Sequence, residues 1–513
     1  MGWQTKGMRI PNRRDLIKLF ASAAGAYGIR SVVRALPAAA KQGGHLIIIV
    51  FDAWSARNVS LYGYPRPTMP NLEAFAKTGL VYNQHHSTAN FTIPGVASLL
   101  TGVYPFQHRA LSLNSQVAKQ YQAKNIFNYF NKKYSTVAFA QNTYADQILQ
   151  QADPSLDQHM AFGTFNLANN VIYDATMFKK DPYIAYNALD SGVFKERSGG
   201  SGSLFISPIL ALLANRQNAL QDTLYAGESK EGLPYAGEPF TLNGIRDGLI
   251  RTLESLDKPS LVYFHIFTPH APYKPAASGL KKFKADGLTF PLHPDHPLAE
   301  DNPPVELQIS DRAKYDAYIA DWDECLAELF VFFETSGLRN NSTIVITSDH
   351  GEMHDRGVNG HSTMLLSEPL LHVPLVITSP QISSPRRVNQ TTSSVDILPT
   401  LCQLAGLQIP DWAEGSVLPG FTNLDTQDQP KFAFHAEKSS ITRPVRQFSA
   451  AIYQDGIKLI RYQYPGYQTI EAYNLMSDPN EDLNIYPEKS EKLKNFTLAL
   501  DKKLNEAGVI VNR

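Results

Sequence analysis

Cysteine is scarce: the 513 residues contain two, Cys325 and Cys402, too few for a disulfide framework. Both fall in amphipathic stretches, Tyr315 to Phe333 and Ile397 to Ala405, which reads as small buried thiols. Beyond the N-terminus no stretch reaches about 18 uninterrupted apolar residues, so no membrane span is expected in the mature chain. A charge excess is lacking too. Lys and Arg total 47 against 48 Asp and Glu, a net charge of −1, and this gives no reason to invoke nucleic acid or a strongly anionic surface as partner. Repeats and low-complexity segments are missing. What is present is size and apolar content: 43% hydrophobic and 11% aromatic residues suffice for one large domain and a smaller one, each with a core.

The N-terminus stands apart. Asn12-Arg13-Arg14-Asp15-Leu16-Ile17-Lys18, the weakly apolar Leu19 to Ile29 and the small residues Ala38-Ala39-Ala40 resemble a twin-arginine export signal with its cleavage site. Residues 1–40 are therefore expected to be a signal segment of an exported, periplasmic or extracellular protein, delivered folded.

From His45 onward, apolar runs of strand length alternate with helix-like segments. Leu46 to Phe51, Thr136 to Ala140, Leu261 to Phe267, Thr343 to Thr347 and Leu375 to Thr378 read as buried strands. Thr68 to Thr78, with Thr68 as cap, Ala123 to Phe130 and Tyr315 to Gly337 read as helices. Such alternation predicts an α/β sheet with helices on both faces. Residues 162–244 break the rhythm and are expected to form an insertion or lid, and the proline-rich Gly279 to Pro304 a loop. After a linker around Asp411 to Pro430, Phe432 to Ala436, Ala450 to Gln454 and Lys458 to Tyr462 read as short strands with turns such as Asp455-Gly456. The expected division is a catalytic domain over 41–425 and a C-terminal subdomain over 426–513.

The stretch richest in chemical meaning is Asn90-Phe91-Thr92-Ile93-Pro94-Gly95-Val96-Ala97-Ser98-Leu99-Leu100-Thr101-Gly102. A proline near the start and a closing glycine place Thr92 at or beside a helix N-terminus, where free N–H groups and the helix dipole favour a tetrahedral anion. This stretch resembles the nucleophile segment of the sulfatase family within the alkaline-phosphatase superfamily: Cys or Ser, any residue, Pro, a small residue, Arg, then Ala-Ser-Leu-Leu-Thr-Gly. Thr92 stands where the oxidisable Cys or Ser belongs and Val96 where the Arg belongs, so formylglycine is not expected and Thr92 would attack as an ordinary alcohol. The segments Tyr62-Gly63-Tyr64 through Leu72, Ser394 through Thr400 and Glu471 through Asn484 extend the resemblance over most of the chain. It implies an alkaline-phosphatase-like mixed, mostly parallel central sheet flanked by helices, with a smaller α+β C-terminal subdomain containing an antiparallel sheet.

Asp52, Asp349 and His350 each follow a predicted strand, at the sheet edge where ligands bind in open α/β folds. With the Thr92 oxygen they make a four-ligand cage for one divalent metal ion, Ca, Mn, Zn or Mg. The resemblance implies the same site residue by residue, although Ala53 replaces a second aspartate that many sulfatases carry. No Asp-x-x-x-His occurs in the chain, which disfavours the second metal of two-zinc relatives. His270, in the segment matching the family's His-x-Pro-Tyr, and His361, in Gly360-His361-Ser362, are the expected catalytic partners of Thr92, binding non-bridging oxygens and protonating the leaving alcohol. Glu352, His265, His85 and His86 are weaker candidates, His265 reading as a satisfied core histidine.

The expected function is a metal-dependent hydrolase of a sulfate or phosphate ester on a small-molecule, glycan or lipid substrate. A threonine nucleophile favours phosphate chemistry, whereas the family label favours sulfate. Competing readings are a transferase moving a phospho-headgroup to a glycan or lipid and a binding protein that retained only the fold.

Overall fold

The computed structural model describes residues 44–165, 231–232 and 239–511, apart from 114, 291, 301, 423–428, 437–443 and 487–489. The export-like segment at 1–40 and nearly all of the insertion at about 162–244 lie outside the described residues.

Eight strands build the main sheet: β1 (Leu46–Phe51), β2 (Leu80–Tyr82), β3 (Ser135–Ala140), β4 (Gln158–His159), β5 (Ser260–Ile266), β6 (Thr343–Ser348), β7 (Leu375–Thr378) and β8 (Arg386–Val388). Their order is β8-β2-β7-β6-β1-β5-β3-β4. All neighbours are parallel except that β7 runs against both β6 and β2. The central strands read as continuous apolar runs because both faces are covered. Along β1 the period of two divides the core: Ile47, Ile49 and Phe51 join one cluster and Leu46, Ile48 and Val50 the other. The first cluster is roofed by α1 (Pro70–Ala76), α4 (Leu242–Glu254) and the long α5 (Val305–Thr335). The second is roofed by α2 (Thr92–Thr101), α3 (Thr143–Ala152) and α6 (Ile397–Ala405).

The C-terminal part is a four-stranded antiparallel meander, β9 (Lys431–His435), β10 (Phe448–Gln454), β11 (Ile457–Tyr464) and β12 (Tyr467–Asn474), followed by α7 (Glu491–Glu506). One face packs on Leu493, Phe496, Leu500 and Leu504 of α7. The other packs on Met353, Leu365, Leu366 and Leu370 of the main body.

Local readings needed correction in four places. Thr68 is not the cap of α1, whose N-cap is Met69; the Thr68 hydroxyl instead donates to the Asn58 carbonyl at 2.8 Å. The stretch from Gly279 is not wholly a loop, because Ala277–Lys284 is helical and its Phe283 is buried under Arg66. Helix α5 begins ten residues before Tyr315, at Val305, since its first turns carry exposed Val305, Leu307 and Ile309 that blur the amphipathic pattern. Cys402 is buried as expected, but Cys325 is only half-buried.

A buried ionic seam joins the two parts. Lys458, fully inaccessible, places Nζ 3.0 Å from Glu368 and 2.7 Å from Glu481. Glu368 also lies 3.1 Å from His86 Nε2 and accepts a 3.1 Å bond from the Tyr453 hydroxyl. Burial alone would raise the Glu368 pKa, but Lys458 and then His86 hold it well below the ordinary carboxylate range. Its contribution to stability is thus present above the unfolded carboxylate pKa of about 4.3 and lost as pH falls through the lower folded value. Lys458→Met should therefore cost about 3–5 kcal/mol in urea unfolding at neutral pH, because two buried carboxylates lose their counter-charge. The deficit relative to wild type should shrink as the pH is lowered below 4. An equal deficit at all pH values would contradict this account of the seam.

Candidate functional site

Three adjacent strands and one helix end meet at the carboxyl edge of the sheet. β1 lies between β5 and β6, with Phe51 in register with Ile266 and with Ser348, so the residues just after β1 and β6 come side by side. These are Asp52 and Asp349-His350. One residue earlier, Val50 is in register with His265, and in-register residues of parallel neighbours share a face. That face is the one covered by α2, whose first residue is Thr92.

Packing fixes how close α2 comes. A β-carbon built on Gly95 would sit 2.5 Å from the Asp349 carbonyl oxygen, so only glycine lets the helix seat against the loop after β6. Val96, at the position of the family's Arg, is fully buried in the apolar cluster beneath α2. Thr92 is 3% exposed and does not cap its own helix; the N-cap is Phe91, with no side-chain bond. Gly102, in the left-handed region at φ 71°, ends the helix.

The Thr92 hydroxyl lies 3.3 Å from His350 Nε2. That nitrogen is 3.4 Å from Asp52 Oδ1 and 3.5 Å from Asp349 Oδ2. His265 Nε2 is 3.3 Å from Asp52 Oδ2 and 3.9 Å from Asp349 Oδ2. Asp52, His265, Asp349 and His350 are each at most 1% exposed. The structure thus brings Asp52, Thr92, Asp349 and His350 together, and adds His265. His265 is not the satisfied core histidine its strand context suggested, since Nε2 has no hydrogen-bond partner. Asp52 Oδ1 and Asp349 Oδ2 are likewise without one.

These residues fit a divalent cation. Ligand atoms bound at about 2.1 Å to one ion stand roughly 3–3.5 Å apart, close to the spacings observed, and one ligand atom each from Asp52, His265 and Asp349 lie within 4.8 Å of one another. Electrostatics point the same way. Burial disfavours a charged His350, yet the Asp349 and Asp52 carboxylates overcome it and lift its pKa to about 9. Burial pushes Asp349 up, with the Asp52 charge adding to it. The pocket of carboxylates draws in positive charge.

His270 and His361 form a wall beside this cluster. The His361 ring lies 4.4 Å from His350 and 4.8 Å from His270 by ring centroids. His361 Nδ1 is 2.9 Å from Glu352 Oε1. Burial would raise the Glu352 pKa, but His361 in first place holds it down at about 2, so Glu352 is a carboxylate that orients the His361 ring. His270 Nδ1 donates to the Ala271 carbonyl at 2.5 Å, and burial lowers its pKa. His85 and His86 are elsewhere, bonded to Thr392 and Glu368. Sequence reading missed Asn142, whose Nδ2 donates to Asp52 Oδ2 while its Oδ1 caps α3 at Tyr144 N; an Asn-Thr pair one residue beyond a buried strand was the available signal. A cavity of about 420 Å³ adjoins through Glu352 and is lined by Arg57, Arg312 and His354 among others, whereas Asp52, Thr92 and Asp349 do not line it.

Comparison with known proteins agrees with this architecture. The sulfatase family model matches residues 45–407. The chain belongs to the sulfatase family. A second model, the C-terminal region of N-sulphoglucosamine sulphohydrolase, matches residues 361–509. Arylsulfatase K of Bos taurus is 28% identical over 290 residues, 48% of this chain and 50% of that protein, so the matched part spans about half the length of that relative. An ulvan-active sulfatase of Formosa agariphila is 24% identical over 90% of this chain and 81% of its own. Among solved structures, the phosphonate monoester hydrolase of Agrobacterium radiobacter superposes with a TM-score of 0.61 at 18% identity, covering 90% of this chain and 95% of that one. BT4656, in complex with its substrate D-glucosamine-2-N,6-O-disulfate, superposes at 0.64 and 16% identity, covering 91% and 98%. At these identities the structural likeness speaks to the fold.

Gly95→Ala should push α2 off the Asp349 loop. The expected result is a loss of about 1–3 kcal/mol in denaturant unfolding and, in a crystal structure, a Thr92–His350 separation lengthened beyond hydrogen-bond reach. An unshifted helix in the variant would show that the contact at Gly95 does not set the site.

Proposed function

We propose that this sulfatase-family protein is a metal-dependent hydrolase of sulfate or phosphate esters whose nucleophile is the Thr92 hydroxyl. The observation that carries the reading is the Thr92 oxygen held 3.3 Å from His350 Nε2, beside two buried carboxylates with unsatisfied oxygens. Asp52, Asp349, His350 and Thr92 would hold one divalent cation, which lowers the hydroxyl pKa and offsets the negative charge of the ester.

The rest is chemistry of the chain's own groups. Pro94 has no N–H, and among the described residues the N–H groups of Thr92 and Ile93 at the start of α2 have no partner, so two donors and the helix dipole face an anion seated on Thr92. Thr92 Oγ, its proton first lost to solvent, forms a bond to sulfur or phosphorus as the bond to the leaving alcohol breaks. His270 or His361 binds a non-bridging oxygen and gives the departing alkoxide its proton. Glu352 holds the His361 ring for this task. Water then attacks the threonyl ester in a second displacement, the same histidines accepting its proton, and Thr92 is restored. The second displacement is more familiar for phosphate than for sulfate, while the named relatives include sulfatases and a phosphonate ester hydrolase. Among the described residues no helix is long and apolar enough to cross a membrane; export by the twin-arginine segment is part of the same proposal.

Three measurements test it. With 4-nitrophenyl phosphate, phenylphosphonate and sulfate as substrates, Thr92→Ala should lose at least about 10³-fold in kcat/KM, roughly 4 kcal/mol. Intact-mass analysis after quenching should find phosphate or sulfate on the peptide carrying Thr92 in wild type and not in the variant. Full activity in Thr92→Ala would end the nucleophile assignment. His361→Ala should lower kcat by about 10²–10⁴-fold and should cost least on esters of acidic phenols, which leave without a proton. Equal losses across leaving groups would remove His361 from the proton-transfer role.

A further inference from the structure

Each group around the site has its outer atom engaged by the protein, and Asp52, Asp349 and His265 each keep one atom without a hydrogen bond. His350 donates Nδ1–H to the Gly351 carbonyl at 2.9 Å and turns Nε2 inward. Asp349 Oδ1 accepts from the backbone N–H of His350 at 2.9 Å and of Ala53 at 3.3 Å, leaving Oδ2 without a partner. Asp52 Oδ2 accepts from Asn142, leaving Oδ1 without one. His265 follows the same pattern: Nδ1 is 3.1 Å from the Tyr263 hydroxyl, and Nε2, fully inaccessible, has no hydrogen-bond partner although two carboxylates lie within 3.9 Å.

A buried imidazole N–H left unpaired beside carboxylates would cost about 1–3 kcal/mol, and a small turn of the ring would relieve it if a hydrogen bond were its purpose. A lone pair aimed at a cation costs nothing of the kind. The Tyr263 phenol, kept protonated by burial, is a hydroxyl that can take the Nδ1–H, which fixes the tautomer with a free Nε2, as the outer partners of metal-bound histidines do. Residue 53, an alanine, brings no side-chain donor to the cage.

We propose that His265 is a direct ligand of the cation held by Asp52, Asp349, His350 and Thr92, and that the resulting pair of imidazoles tunes the site to a late first-row transition ion such as zinc, against calcium and magnesium. Calcium and magnesium are held by oxygen donors, whereas imidazole suits zinc-type ions. The inference rests on the metal-dependent reading above and adds one ligand and a metal class to it.

The test is direct metal binding by the purified full chain, stripped with chelator and reloaded with zinc, cobalt or calcium separately. Wild type should retain one zinc per chain after desalting and give a cobalt visible spectrum. His265→Ala and His265→Gln should weaken zinc binding by on the order of 100-fold or more, leave calcium binding within a few-fold, and bleach or shift the cobalt bands. The diagnostic quantity is the zinc-to-calcium ratio of affinities in each variant, because zinc outbinds calcium at most nitrogen-containing sites. Zinc bound equally well with an unchanged cobalt spectrum in both variants would overturn the ligand assignment alone. Wild type that binds no divalent ion would overturn the metal-dependent reading itself. Should neither variant fold, anomalous diffraction from zinc-loaded wild-type crystals decides: a peak about 2.0–2.1 Å from His265 Nε2 supports the proposal, and a peak beyond 3 Å overturns it.

Discussion

Two carboxylates, Asp52 and Asp349, stand side by side with almost no access to water, and the rest of the site follows from that. Burying one anion costs several kcal/mol and two neighbouring anions repel. The fold meets the constraint by gathering positive or proton-bearing groups: His350, His265 and His270 all act on Asp52, which is held well below the usual carboxylate range despite its burial. The imidazoles compensate the charge only in part, since one oxygen on each carboxylate stays without a hydrogen bond. A dication would complete the balance, and the same unmet charge that makes the cage unstable when bare would give it affinity for metal.

The sheet supplies the rigidity this needs. Because β1 is sandwiched by parallel neighbours and covered on both faces, its last residue can be held at a fixed height against those of β5 and β6. Helix α2 adds the hydroxyl, and its distance is set by a missing side chain at Gly95. The antiparallel β7 lies next to β6, and the chain leaving β6 turns through the hairpin Met353–Asp355 and Val358–Gly360 before His361. That excursion returns His361 to the side of His350, and Glu352, just before the hairpin, fixes the ring.

The main strands were legible because a strand buried on both faces is dominated by apolar residues, as Leu46 to Phe51 and Ile344 to Ile346 are. Asp52 and Asp349 stood out for the same reason, as the first charges after such runs. His265 was hidden by the same rule. Inside a strand buried on both faces there is no polar alternation, so nothing in Leu261-Val262-Tyr263-Phe264-His265-Ile266 tells which side the imidazole takes; the register with Val50 decides it. The seam around Lys458 was illegible for a different reason, since a lysine between Ile457 and Leu459 reads as a solvent-facing strand residue until Glu368 and Glu481, about 90 and 23 positions away, close on it.

The departures from the sulfatase pattern have one physical thread. Thr92 cannot offer the second hydroxyl that a hydrated formylglycine has, Val96 removes a cation from the anion's surroundings, and Ala53 removes an anion from the metal's. Losing Arg and Asp together leaves the formal charge near the nucleophile unchanged while moving it: less positive charge stands beside the ester oxygens, less negative charge beside the ion. With fewer anionic donors an ion retains more of its charge toward Thr92, which is what an unmodified alcohol requires, being the weaker nucleophile at neutral pH. A histidine at 265 suits that shift because it contributes a neutral donor where an aspartate would contribute a charge. On the proposed mechanism, the substitutions at 53, 92 and 96 and the imidazole at 265 act in the same direction, toward a site in which the field of a cation would activate an ordinary hydroxyl.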